Sequence, residues 1–112
     1  APKLPPLPAP SDYQGAEVEA LGDDLVAVRV ALKGPHGETG LDEYARCIAA
    51  GHAVQTGGGF LRHIRTKTDE RGGIWHADAV YSISSALPKG FVTIDAETTV
   101  ADCADQGIPT AK

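Results

Sequence analysis

The sequence predicts an α+β fold, a two-layer sandwich in which one main helix packs on an antiparallel sheet of three to four strands in β-α-β-β order. Three stretches carry that expectation. Phe60–Ser85 holds two alternating runs around a turn-forming loop, Leu41–Thr56 has helical apolar spacing, and Asp24–Lys33 alternates with period two. A helix with an apolar stripe and a hairpin with an apolar face must bury them against each other, and two layers follow. The far face of such a sheet is expected to be largely solvated.

The chain opens on APKLPPLPAPSD, which favours extended polyproline geometry over regular hydrogen bonding. Residues 1–15 therefore read as a proline-rich flexible tether, with a plain disordered terminus as the alternative. Residues 16–112 read as a single domain. In Asp24–Lys33, Val26, Val28, Val30 and Leu32 alternate with Ala27, Arg29, Ala31 and Lys33, as in a half-buried strand. GPHGETG (34–40) is expected to be a loop, since Pro35 and three glycines oppose any regular element.

The main helix is expected from Leu41 to near Thr56. Asp42 and Glu43 sit in its first turn, where the helix dipole favours anions, and Gly57–Gly59 offers a left-handed cap. Helical spacing gathers Leu41, Tyr44, Ile48, Gly51 and Gln55 on one side, with Cys47 and Val54 at its border. Asp42, Arg46, Ala50 and Ala53 fall opposite.

In the hairpin, a turn around Asp69–Gly72 puts Phe60, Arg62, Ile64 and Thr66 on one face with Trp75, Ala77, Ala79, Tyr81 and Ile83. Leu61, His63, Arg65 and Lys67 then share the other face with His76, Asp78, Val80 and Ser82. After it, ALPKG is a turn and Phe91–Ile94 a short strand. Thr99 is expected to cap a helical turn at Val100–Gln106, with an edge strand over Glu97–Ala101 as the alternative.

Composition narrows the function classes. Apolar residues make up 42% and charged residues 22% of the 112-residue chain, which is ordinary globular usage. A net charge of −5 speaks against a nucleic-acid partner. No apolar run approaches the ~20 residues of a transmembrane helix. A start at Ala1, with no methionine anywhere, is expected of a processed exported protein. Cys47 and Cys103 are an even pair without CxxC spacing; one disulfide in an oxidising compartment is expected, with two buried thiols as the alternative. A bridge there would fasten the C-terminal segment across the helix.

The strand LVAVRVAL, the small-residue helix YARCIAAGHAVQTGGGF with an aromatic-led strand after it, and the second half GGIWHADAVYSISSALPKG…IDAETTVADCADQGIP carry a resemblance. The order resembles that of small proteobacterial envelope lipoproteins and exported proteins of uncharacterised function, over most of residues 24–109. The resemblance implies a periplasmic or envelope address and a proline-rich tether following a lipidated cysteine upstream of Ala1.

No motif encodes catalysis. Cys47 and His52 lie five positions apart on the helix and point in different directions; Ser82, Ser84 and Ser85 lack a GxSxG elbow. Gly57–Gly59 follows a helix rather than preceding one, the reverse of a phosphate loop. No enzyme activity and no cofactor are expected. With Thr68 opposite Gly73, His63 would face Asp78 and Arg65 would face His76. A metal set of His63, His76 and Asp78 is the alternative reading, opposed by Arg65 beside it and by open water. The preferred reading makes His63, Arg65, Lys67, His76 and Asp78 a polar surface for a protein partner. Phe60–His76 is net +2 and Phe91–Gly107 net −4, so the two segments suit either each other or such a partner, with plain solvated faces as the simpler expectation. His52 is expected to be partly buried near Ile48.

Overall fold

The computed structural model describes residues 12–22, 24–34, 37–85 and 93–110. It holds β1 (Tyr13–Gly22), β2 (Leu25–Lys33), α1 (Gly37–Gln55), β3 (Phe60–Arg71), β4 (Ile74–Ser84), β5 (Ile94–Asp95) and α2 (Ala96–Gln106). The strands form one antiparallel sheet in the order β1-β2-β4-β3-β5. This corrects the expected three-to-four-stranded sheet with one main helix in β-α-β-β order: the described residues hold five strands and two helices, two strands precede the first helix, and the sheet dominates.

The added strand is β1. Its AEVEAL core alternates, but through alanine and glutamate, which have little strand preference of their own. Pairing makes it a strand: Ala16, Val18 and Ala20 lie opposite Val30, Val28 and Val26. Asp24 turns the chain back at φ 63°, a left-handed conformation that aspartate tolerates better than most side chains. The expected tether reaches residue 15; its residues 1–11 lie outside the described residues, while Tyr13–Gly15 already belong to β1.

The core fills the space between the sheet and α1. Val26, Val28, Val30 and Leu32 of β2 and Ala77, Ala79 and Tyr81 of β4 face Leu41, Tyr44, Ala45 and Ile48. Each large apolar side chain sealed there contributes about 1.5–3 kcal/mol. The helix begins at Gly37 rather than Leu41 and ends at Gln55, where the Thr56 amide and hydroxyl both bond the His52 carbonyl at 3.1 Å. Ala50 and Ala53, expected on the solvent side, are fully buried. More than the sheet closes on this helix: the Gly58 amide bonds the Ala53 carbonyl at 2.7 Å, and α2 packs on α1, tied to it by the Cys47–Cys103 disulfide with Cα atoms 6.0 Å apart.

That second helix is longer than the expected turn at Val100–Gln106. Asp95, not Thr99, caps it: its carboxylate accepts the Thr98 amide at 3.0 Å. Gly107 ends it at φ 73°, and Ile108 folds back so that its amide bonds the Cys103 carbonyl at 2.9 Å. Of the expected strand at Phe91–Ile94, Ile94 lies in β5, and Phe91 and Val92 fall outside the described residues.

Candidate functional site

Both helices lie on one side of the sheet, so the outward side chains of β1, β2, β4 and β3 form a second, separate face. Strand register sets its pattern. One row across the four strands reads Glu17, Arg29, Asp78, Lys67; the next reads Gly15, Ala31, His76, Asp69; a third reads Glu19, Ala27, Val80, Arg65. The first row alternates acid and base, which favours each neighbouring pair across the strands.

Arg29 is the hub. Its Nη1 lies 2.9 Å from Glu19 Oε2 and its Nε 3.6 Å from Asp78 Oδ2. The hydrogen bond and charge of Glu19, and then the charge of Asp78, raise its pKa further above the ordinary value. These groups are half exposed, so the network orients the guanidinium more than it stabilises the fold.

The middle row makes the shape. Gly15 and Ala31 carry almost no side chain, so the face sinks there into a trough of about 560 Å³. Arg29, Asp78 and Lys67 wall it, and His76 and Asp69 close the β3 side. Gly15 sits at a register shift in β1 with φ 146°, and its amide hydrogen-bonds the Tyr44 hydroxyl beneath the sheet. Tyr44 in turn meets Tyr13 edge-to-face at 4.7 Å. One end of the trough floor is thus pinned to α1.

Of the expected polar surface, Lys67, His76 and Asp78 line the trough, and Arg65 stands one row away on the same face. His63 does not join them. The β3–β4 turn is the two-residue Gly72–Gly73, both at positive φ (60° and 84°), as tight hairpin turns require. Arg71 therefore pairs with Ile74, Lys67 with Asp78, Asp69 with His76 and Arg65 with Val80. A bulge between His63 and Arg65 then reverses which side β3 presents. Leu61, not Phe60, points to the core, and His63 stacks edge-on against Tyr81 at 5.4 Å on the helix side.

The metal set is not assembled, because His63 is on the opposite face from His76 and Asp78. Among the described residues no group of three or more His, Cys, Asp or Glu side chains is placed to hold an ion. His52 is half-buried in the last turn of α1, where it borders a second hollow with Asp24 and Ser84. The residues that sequence reasoning missed are Gly15, Glu17, Arg29 and Ala31. The alternation of AEVEA ahead of the Gly22–Asp24 turn is the signal that locates the β1 half of them.

Residues 13–107 match the YNQ4 C-terminal domain family. The chain is also similar to an uncharacterised 26.9 kDa protein in the nqo8 5′ region of Paracoccus denitrificans, a proteobacterium, at 35% identity over 91% of this chain. The match covers 42% of that relative, so the chain spans less than half its length. No solved structure matches the chain.

Proposed function

The chain belongs to the YNQ4 C-terminal domain family, an uncharacterised family, and on that footing we propose that it is a non-enzymatic domain of an exported protein which binds a protein partner over the outer-face trough. The observation that carries the reading is the sunken Gly15–Ala31 floor walled by Arg29, Asp78 and Lys67. Small floor residues with charged walls of both signs suit an inserted apolar anchor surrounded by polar contacts, the usual anatomy of a protein interface.

The address is periplasmic or envelope. The Cys47–Cys103 bridge supports it, since structural disulfides persist in oxidising compartments. A lipid anchor upstream of Ala1 belongs to the same reading. Among the described residues no helix is long and apolar enough to cross a membrane.

A photo-crosslinking amino acid at His76, an exposed residue beside the trough floor, tests the binding site in proteobacterial cells making the full-length protein. A discrete protein adduct is expected at His76 and not at Val54, an exposed residue of α1. Equal labelling at both positions would overturn the site. Protease accessibility in spheroplasts tests the address separately: a protein protected until lysis is not exported.

A further inference from the structure

Across the strands the first outer-face row is acid, base, acid, base: Glu17, Arg29, Asp78, Lys67. Reversed, it becomes base, acid, base, acid, so the row is complementary in charge to its own reverse. The second row has the same property in size. Gly15 and Ala31 on β1 and β2 are small, whereas His76 and Asp69 on β4 and β3 are large, so reversal sets each large side chain over a small one. In the third row, reversal brings Glu19 to Arg65.

On the reading of the trough as a binding site, we propose that its partner is a second copy of this chain, packed outer face to outer face. The two-fold axis runs parallel to the strands, between β2 and β4. Such a rotation carries β1 over β3 and β2 over β4 while every row keeps its height along the strands. Glu17 then faces Lys67 of the second copy and Arg29 faces its Asp78. Each contact occurs twice, as a self-complementary interface requires. At the axis the Arg29 and Asp78 side chains of both copies alternate in sign around a square, with Arg29 Nε already 3.6 Å from Asp78 Oδ2 within each copy. His76 and Asp69 of the second copy come down on the Ala31–Gly15 floor, so the trough of about 560 Å³ in each copy is filled by the other.

Charge and size thus select the same axis independently. A two-fold across the strands sets each strand over its own copy instead. Centred on the first row, it stacks Glu17 on Glu17 and Arg29 on Arg29; centred between the first two rows, it stacks Arg65 on Arg71. Like charges so placed disfavour the contact. Face-packed sheets turn by about 30° from parallel, which keeps the pairs at the axis in register and leaves the outer pairs to the long side chains of Glu17 and Lys67. The face is four strands wide and its charges are exposed, so the dimer is reversible and weakened by salt.

Sedimentation velocity of the whole chain is the test. The wild type is expected to pass from monomer to dimer as concentration rises at low salt, to stop at dimer, and to return to monomer at high salt. Arg29→Asp and Asp78→Arg each set like charges face to face and are expected to sediment as monomers, with circular dichroism checking that both fold. Mixed in equal amounts they are expected to dimerise again, because every contact between positions 29 and 78 of unlike copies then joins opposite signs. Both residues stand on the two central strands, away from any contact made through a sheet edge. Ala31→Tyr fills the floor without changing charge and is also expected to give a monomer, which keeps the test decisive if a charge variant does not fold. A wild type that stays monomeric at millimolar concentration and low salt overturns the second copy as occupant. So does a dimer that survives all three substitutions, or a mixture of folded charge variants that stays monomeric. The His76 probe in cells scores the binding site separately. An adduct of twice the full-length mass supports the dimer; capture of a different protein, with a monomeric wild type, overturns the dimer and keeps the trough.

Discussion

Replacing both cysteines (Cys47→Ala with Cys103→Ala) is expected to weaken the domain by about 4 kcal/mol and to release α2 before the rest unfolds. The bridge spans 56 residues of sequence. A loop that long removes about 14 cal/mol/K of chain entropy from the unfolded state, or about 4 kcal/mol at room temperature. That is a large part of the ~5–15 kcal/mol by which a domain is usually stable. The packing of α2 offers little to replace it, since the buried residues of α2 are Ala96 and Cys103, with Ile108 added just beyond its end. Urea unfolding followed by two probes separates the steps. Fluorescence of Trp75, the single tryptophan, reports the β3–β4 hairpin, and far-ultraviolet circular dichroism reports the helices. In the wild type the transitions should coincide; in the variant the helical signal should fall first. A variant within about 1 kcal/mol of wild type, with coincident transitions, would show that α2 docks without its crosslink and would refute the reasoning.

Gly58→Ala is expected to cost about 2 kcal/mol, because the new Cβ overlaps Cγ2 of Ile83; adding Ile83→Ala should remove most of that increment in a double-mutant cycle. Leu61→Ala should cost about 3 kcal/mol and Phe60→Ala clearly less, since the bulge turns the first inward at 1% exposure and the second outward; equal losses in chemical denaturation would refute the bulge. The Tyr81 hydroxyl is pushed up to about 12, chiefly by burial, from 10.0. Above pH 10 the unfolded chain loses that proton while the native state keeps it, so stability present below pH 10 should fall by roughly 2 kcal/mol between pH 10 and 12. Tyr13 and Tyr44, also raised by burial, act in the same direction, and absorbance of tyrosinate near unfolding checks it. Ala31→Val should leave the melting temperature unchanged or slightly raised while abolishing the partner adduct of a probe at His76 on the trough wall; retained crosslinking there would refute the trough as the site.

How far the fold was legible depended on whether a pattern was carried by side chains with strong preferences of their own. The β2 alternation of valines, the inward Trp75–Ile83 set of β4 and the glycine stop after α1 all read directly, because burial and propensity agree there. The disulfide partners were legible because there are only two cysteines. β1 was not, since its Ala–Glu alternation becomes a strand only beside β2. The His63–Arg65 bulge was illegible for a sharper reason: one extra residue reverses a whole face, and nothing in FLRHIRTK marks where it sits. That single bulge separates the expected polar surface from the observed one, moving His63 to the Tyr81 side and leaving Lys67, His76 and Asp78 together.

The remaining question is why the outer face is shaped as it is, since the core does not require it. An outward position on a solvated strand is best filled, for stability, by threonine, tyrosine or valine, with a span of up to about 1 kcal/mol over the poorest residues. Gly15 has a structural reason to be glycine: its positive φ at the register shift and its bond to Tyr44 leave no better choice. Ala31 has none of these. It pairs with Gly15 and His76 in regular strand geometry, and a larger side chain there would cover the sheet and brace Arg29. The fold and the trough therefore make opposite demands at this one position, and the chain follows the trough. The charged row beside it leads in the same direction, because its half-exposed pairs add little stability but hold Arg29 in one orientation between Glu19 and Asp78. The proposed partner surface accounts for both features, a floor kept small and walls kept oriented at the expense of the residues a free sheet would favour.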